Sequence, residues 1–271
     1  MRYGWGNFLF WIFEPTDPTP ATAPLIVFNH GWAATQPLYY KAWVEHLVKR
    51  GNIVVYPRYQ LGLIAGVSGA TVHSLLCTRA AIYILQHGTH VRPELNHFAI
   101  VGHSLGGGIT AEMAALANAY HLPPPKAVMP VQPYINDYLM IQDFHAIPAS
   151  ALLLVVVGEN DSIVGNASGK TIFYTADQIP LDRKDFIIQR TDRHGSPPLL
   201  ADHGAPVCIP NSGWTNAMDY YSTWKLFDAL IDYAFYGTER EYCLGNTPEQ
   251  RFMGYWSDGV PVTELGVTDT P

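Results

Sequence analysis

The sequence predicts an α/β fold built on a mostly parallel sheet with helices on both faces. Three observations carry this expectation. Apolar runs of strand length alternate with helix-period segments along most of the 271 residues, and such alternation implies crossover connections between parallel strands. The run Leu152-Leu153-Leu154-Val155-Val156-Val157 has no polar alternation, as suits a strand covered on both faces. A strand, a Gly-rich turn and an Ala-rich helical stretch follow one another between His97 and Ala119.

The elements follow in order. Asn7 to Phe13 is a first strand, and the Pro- and Asp-rich stretch from Pro15 to Pro24 is a linker. Leu25 to Asn29 is the second strand. Leu38 to Arg50 reads as a helix closed by Gly51, and Ile53 to Tyr56 as the third strand. Thr71 to Gln86 reads as a helix with Val72, Leu75, Leu76 and Tyr83 on its buried face. Phe98 to Val101 is a strand and Ile109 to Ala119 a helix. Ala127 to Val131 and Ala151 to Val157 are strands, Lys170 to Gln178 a helix and Phe186 to Thr191 a final strand. Asn216 to Tyr236 is a long closing helix with Phe227, Leu230, Ile231 and Ala234 on one face. These make about seven strands in a single domain spanning residues 1–271. Residues 238–271 read as an irregular tail. Residues 132–148 read either as a small flap over a pocket or as a connecting helix packed on the core, and they leave no room for a large cap domain.

Bulk composition narrows the function. Hydrophobic residues make up 48% of the chain, enough for a large core. A formal charge of −7 carries no basic nucleic-acid footprint and does not favour anionic membranes. No apolar run reaches the ~18 residues of a transmembrane helix. The compartment stays open between a secreted or periplasmic mature form that has lost its leader and a cytoplasmic protein; the oligomeric state stays open too. Of three cysteines, Cys77 reads as a small core residue, while Cys208 and Cys243 are a candidate pair. Neither H-E-x-x-H nor a Cys/His cluster of zinc spacing occurs, so no metal or other cofactor is expected.

The chemistry concentrates at Gly102-His103-Ser104-Leu105-Gly106. This G-x-S-x-G sits between strand and helix, the setting of a nucleophile elbow that presents a serine hydroxyl at a sharp turn. Glycines at 102 and 106 remove side chains that would crowd it. A serine hydroxyl needs a base, and the base an orienting carboxylate. On such an elbow the chain order is serine, acid, histidine. Asp161, just past the run ending at Val157, is the candidate acid, with Glu159 and Asp137 as runners-up. Only His194 and His203 lie beyond it, and order alone leaves both open as base. Phe28-Asn29-His30-Gly31-Trp32 follows a strand and matches an oxyanion loop, so the N–H groups of Trp32 and Leu105 are candidate oxyanion donors. His30 is expected to brace that loop. His30, Tyr39, Tyr134 and Trp214, together with Tyr40, are candidates for the substrate pocket.

Together His30-Gly31-Trp32, the elbow, Asp161 and a late histidine resemble the α/β-hydrolase superfamily over about Phe8 to Tyr236. Within it the sequence resembles the dienelactone-hydrolase-like, chlorophyllase-like and polyester-hydrolase (cutinase-like) esterases. The resemblance implies a sheet of about eight strands and a serine esterase that needs no cofactor. Polyester hydrolases of this type carry their catalytic histidine in an H-x-A-P setting. His203-Gly204-Ala205-Pro206 has that form and His194-Gly195-Ser196 does not, so the resemblance favours His203. The expected activity is hydrolysis of apolar or aromatic carboxylic esters, small or polymeric. A lipase, thioesterase or peptidase of the same fold, and a catalytically silent binding protein, are the alternatives.

Overall fold

The computed structural model describes residues 1–62, 66, 68–135, 144–208 and 215–271. The strands are β1 (Arg2–Tyr3), β2 (Leu9–Phe13), β3 (Thr22–Asn29), β4 (Ile53–Arg58), β5 (Arg92–His103), β6 (Ala127–Val131), β7 (Leu152–Gly158), β8 (Lys184–Gln189) and β9 (Gly266–Thr268). They form one sheet in the order β1-β2-β4-β3-β5-β6-β7-β8-β9. β3 to β8 run parallel to their neighbours, while β1, β2 and β9 add antiparallel edges.

Alternating side chains on each strand face opposite sides of the sheet. Leu25, Val27, Ile53, Val55, Ile100, Val128, Leu153 and Val155 face one side. There they meet α2 (Ala70–His87), α3 (Leu105–Leu116) and α4 (Ala167–Thr175). Ile26, Phe28, Val54, Tyr56, Val101, Met129, Leu154 and Val156 face the other side. There they meet α1 (Lys41–Lys49) and α5 (Lys225–Tyr236). The two layers cover the central runs of these strands on both faces, which is why those runs carry no polar alternation.

The topology locates the site. From β3 the chain crosses through α1 to β4, then through α2 back across β3 to β5. Right-handed crossovers in opposite directions put α1 and α2 on opposite faces. The strand order therefore reverses at β3, and a crevice opens between the carboxyl ends of β3 and β5, where open α/β sheets bind ligands.

Several expectations need correction. Among the described residues the sheet has nine strands, and β1 and β9, two and three residues long, are too short to show a period. α3 begins at Leu105, four residues before the expected start. The poor helix propensity of Gly106-Gly107-Gly108 is overridden by tertiary packing. The buried face of α2 contains Ser74, Leu75, Thr78, Ala81, Ile82 and Leu85, whereas Tyr83 is exposed. Ser74 and Thr78 are tolerated there because Ser74 Oγ donates to Asn29 Oδ1 at 2.7 Å and Thr78 Oγ1 to Ser74 O at 2.8 Å. An apolar-period count cannot see such a face. The stretch after Thr238 is more than an irregular tail. It forms α6 (Pro248–Arg251) and β9, and it buries Cys243, Leu244, Met253, Val262 and Leu265 against the α1/α5 side.

Cys208 and Cys243 are both free thiols. Their neighbourhoods differ: Cys208 Sγ lies 3.4 Å from Tyr39 O, and Cys243 Sγ 3.4 Å from Arg240 O. The middle of the candidate flap, residues 136–143, lies outside the described residues. Its far end packs inward through Phe144 and Ile147. Among the described residues no helix is long and apolar enough to cross a membrane.

The closing helix opens with six residues of π-helix, Asp219–Trp224, before α5. Asp219 Oδ2 accepts the Asn216 N–H at 2.9 Å. Burial pushes the Asp219 carboxyl up to about 6. A raised folded-state value favours folding below the ordinary carboxylate range, and that contribution disappears as pH rises through about 6. Asp219→Asn keeps an acceptor and removes the buried charge. It is expected to raise stability by roughly 1–3 kcal/mol at pH 8, with the difference vanishing near pH 4, as read from urea midpoints across that range.

Candidate active site

β5 runs straight into the elbow. His103 ends the strand, Leu105 starts α3, and Ser104 between them holds φ 59° and ψ −124°. A non-glycine residue there costs about 1–3 kcal/mol and persists only where its surroundings over-determine it. Here they do. Ser104 N donates to Val131 O of β6 at 3.0 Å, and Ser104 O accepts from Gly107 N at 2.8 Å and Tyr134 N at 2.9 Å. Gly106 lets the first turn of α3 lie against the end of β3. A Cβ at 106 would stand 2.2 Å from Asn29 O and 2.4 Å from His30 O.

The turn after β7 holds the candidate acid. Asp161 is buried, and its Oδ1 accepts the N–H groups of Ile163 and Val164, each at 3.0 Å. Its Oδ2 lies 2.7 Å from His203 Nδ1. The loop after β8 brings His203 back from far along the chain. An antiparallel bridge between Asp192 and Leu199 closes part of that loop. Asn160 N then donates to Ala201 O at 3.0 Å, and Gln132 Nε2 to Asp202 O at 2.7 Å. His203 Nε2 ends 2.8 Å from Ser104 Oγ. With the Asp161 carboxylate accepting from Nδ1–H, Nε2 is left as the acceptor facing the serine hydroxyl.

Residues 9–134 match the family model described as chlorophyllase, an α/β-hydrolase-type family. Fold and match agree. The chain has the α/β-hydrolase fold. The matched span runs from β2 past β6 and contains the candidate oxyanion loop and the elbow; Asp161 and His203 lie beyond it. A comparison with curated proteins gave no match.

The second histidine of the late loop sits elsewhere. His194 Nε2 pairs with Asp258 Oδ2 at 2.7 Å, and its half-exposed ring packs beside Trp256. Glu159 accepts the Thr191 N–H at 3.0 Å and does not approach His203. Asp137 lies outside the described residues.

At the mouth of the crevice the loop after β3 turns at Gly31. Gly31 N donates to Tyr40 Oη at 3.0 Å, Ala34 N to Gly31 O at 3.1 Å and Ala33 N to Gln60 Oε1 at 2.7 Å. Trp32 rides on this loop at the pocket edge, with its side chain 43% exposed. Leu105 heads α3, so its N–H belongs to the first turn, where amides lack intrahelical acceptors and the helix end is electropositive. A cavity of about 580 Å³ opens over Ser104. Trp32, Ala34, Tyr39, Tyr40, Ile163 and Val207 supply much of its wall, and among the described residues no Lys, Arg, Asp or Glu lines it.

Of the pocket candidates, Tyr39 lines this cavity and His30 and Tyr134 do not. His30 is fully buried behind the loop, stacked on Tyr59 with ring centroids 4.0 Å apart, and Nδ1 lies 2.7 Å from Gly31 O. Burial pushes it down to about 4, so it is neutral. Tyr134 is 39% exposed and contributes its backbone N–H to Ser104 O. Trp214 lies outside the described residues. The sequence reading passed over Ile163 and Val207, which carry no motif, and Gln132, which contacts the His203 loop. Among the described residues no three His, Cys, Asp or Glu side chains converge to hold a metal ion.

The contact at Gly106 has a measurable consequence. Gly106→Ala forces a methyl group into two backbone carbonyls. It is expected to destabilise the protein by about 3 kcal/mol, seen as a lowered thermal midpoint.

Proposed function

We propose that the protein is a carboxylic-ester hydrolase that works through an acyl-enzyme on Ser104. One observation carries the reading. Ser104 Oγ stands 2.8 Å from His203 Nε2, while His203 Nδ1 stands 2.7 Å from the buried Asp161 carboxylate. That geometry supports a serine made nucleophilic by an imidazole base held in one tautomer.

In this reading Ser104 Oγ forms a bond to the acyl carbon as His203 Nε2 takes its proton. The carbonyl oxygen becomes an oxyanion, and the N–H groups of Trp32 and Leu105 receive it. Two such donors contribute on the order of 3 kcal/mol each to the transition state. The tetrahedral adduct collapses, the alcohol leaves with the proton from His203, and Ser104 keeps the acyl group. Water then attacks the acyl carbon, giving its proton to His203. The acid departs and Ser104 Oγ takes the proton back. Asp161 stays ionised and stabilises the imidazolium in both halves.

The apolar wall of Trp32, Tyr39, Ile163 and Val207 favours a neutral substrate with an apolar or aromatic acyl or alcohol group. Among the described residues no Lys or Arg lines this wall, so none of them offers a counterion for a substrate carboxylate or phosphate. The mouth is bordered by Trp32 and the 73% exposed Ile163, and this suits an ester presented on a larger molecule, polyesters included.

A fluorophosphonate probe is expected to label the wild type and to fail on Ser104→Ala. On a short-chain aryl ester, His203→Ala is expected to lose roughly 10³- to 10⁶-fold in kcat/KM, with His194→Ala within about threefold of wild type. Equal losses at the two histidines, or retained labelling in Ser104→Ala, would overturn the assignment. A panel of aryl esters, thioesters, triglycerides and peptides separates this esterase from a lipase, thioesterase or peptidase.

A further inference from the structure

We infer that Tyr40, His103 and Gln132 form a buried hydrogen-bond chain that locks the oxyanion loop and the histidine loop in register on either side of Ser104. The inference rests on the ester-hydrolase reading of this site. All three are positioning residues.

The direction of the chain follows from its ends. Gly31 N–H can only donate, so Tyr40 Oη, 3.0 Å away, accepts. The single phenolic proton is then free to point at His103 Nδ1, 2.8 Å from Tyr40 Oη. Nδ1 is therefore unprotonated, and a neutral ring carries its proton on Nε2. Nε2 donates to Gln132 Oε1 at 3.0 Å. The amide is thereby oriented with its nitrogen toward Asp202 O, to which it donates at 2.7 Å. At the far end Asp202 O can only accept, and it belongs to the residue before His203. Both termini are backbone groups of fixed polarity, so one proton arrangement satisfies every member.

The surroundings are built for this path. Tyr40, His103 and Gln132 are each at most 3% exposed, where an unsatisfied donor or acceptor costs about 1–3 kcal/mol. Two glycines clear the way. A Cβ at Gly31 would lie 2.9 Å from Tyr40 Oη, and one at Gly158 would lie 2.6 Å from Gln132 Nε2 and 2.5 Å from Ala201 O. Gln132 holds φ +43°, a left-handed conformation that non-glycine residues rarely adopt, and its N–H donates to Val156 O at 2.6 Å.

Neutrality matters for the chemistry. Burial, with His203 adding to it, pushes His103 down to about 3. The ring centroids of His103 and His203 are 4.7 Å apart. When His203 takes the serine proton and becomes cationic, its neighbour remains an uncharged dipole anchored at both nitrogens, so no like charge opposes the step.

The test uses the full chain, with Tyr40→Phe, Gln132→Met and their double variant assayed on a short-chain aryl ester. Active sites are counted by fluorophosphonate titration, so that any loss of folded protein is removed from kcat. Each single variant is expected to lose about 10- to 100-fold in kcat per titrated site, because sub-ångström misplacement of a catalytic loop is felt there. KM is expected to stay within about threefold. The double variant is expected to fall no more than about twofold below the worse single, since a chain severed once has nothing more to lose. If one single variant does not fold, the other and the near-isosteric Gln132→Glu, with the same expected loss, decide. A kcat within twofold of wild type in a folded single variant, or losses that multiply in the double, overturns the chain. If the wild type shows no turnover that depends on Ser104, the hydrolase reading fails and the positioning role with it. Wild-type turnover with unaffected variants overturns the positioning role alone.

Discussion

A backbone crossing closer than a methyl group would allow sets the position of Ser104. The first turn of α3 lies against the carbonyls that end β3, and Gly106 stands where any side chain would strike Asn29 O and His30 O. That contact ties the loop carrying Trp32 to the turn carrying Ser104. It sits where the strand order reverses, so both come from the carboxyl ends of adjacent strands. The strained angles of Ser104 are stable because hydrogen bonds from β6, α3 and Tyr134 hold both its peptide groups.

Around this junction the buried polar groups are kept neutral or fully paired. His30 and His103 are both fully buried imidazoles with depressed basicity. The Asp161 carboxylate is buried too, and its two oxygens are occupied by two backbone N–H groups and one imidazole. A low-dielectric site makes each such bond stronger and each unpaired group more costly. The result is a rigid polar scaffold behind an apolar cavity wall. Solvent reaches the rim, where Trp32 and Ile163 are exposed.

The elbow, the late strand with its following Asp161 and the H-G-W loop were legible because each is local: a turn, a cap or a short approach that a few consecutive residues specify. The fully buried strands were legible because parallel strands covered on both faces leave long apolar runs. Strand starts were less so. β5 begins at Arg92, well before Phe98, because its polar first half pairs with the exposed start of β3. The buried face of α2 was misread because Ser74 and Thr78 are satisfied by partners that no local pattern reveals. The stretch after Thr238 was read as irregular because its core residues have no period; they are buried by docking, with Gln250 Nε2 and Gly245 N both donating to Asp185 Oδ2.

The sequence by itself determined the layered architecture and the sharp turn that presents Ser104, since apolar period and turn chemistry act over a few residues. It narrowed the histidines to His194 and His203 by chain order, and resemblance leaned toward the second. Only the tertiary structure decided which imidazole meets Ser104, that Cys208 and Cys243 stay apart, and that His30 stands behind the pocket wall. Those outcomes depend on how loops separated by dozens of residues fold back over the sheet edge, and loop closure is governed by distant hydrogen bonds such as Asn160 N to Ala201 O and Gln132 Nε2 to Asp202 O.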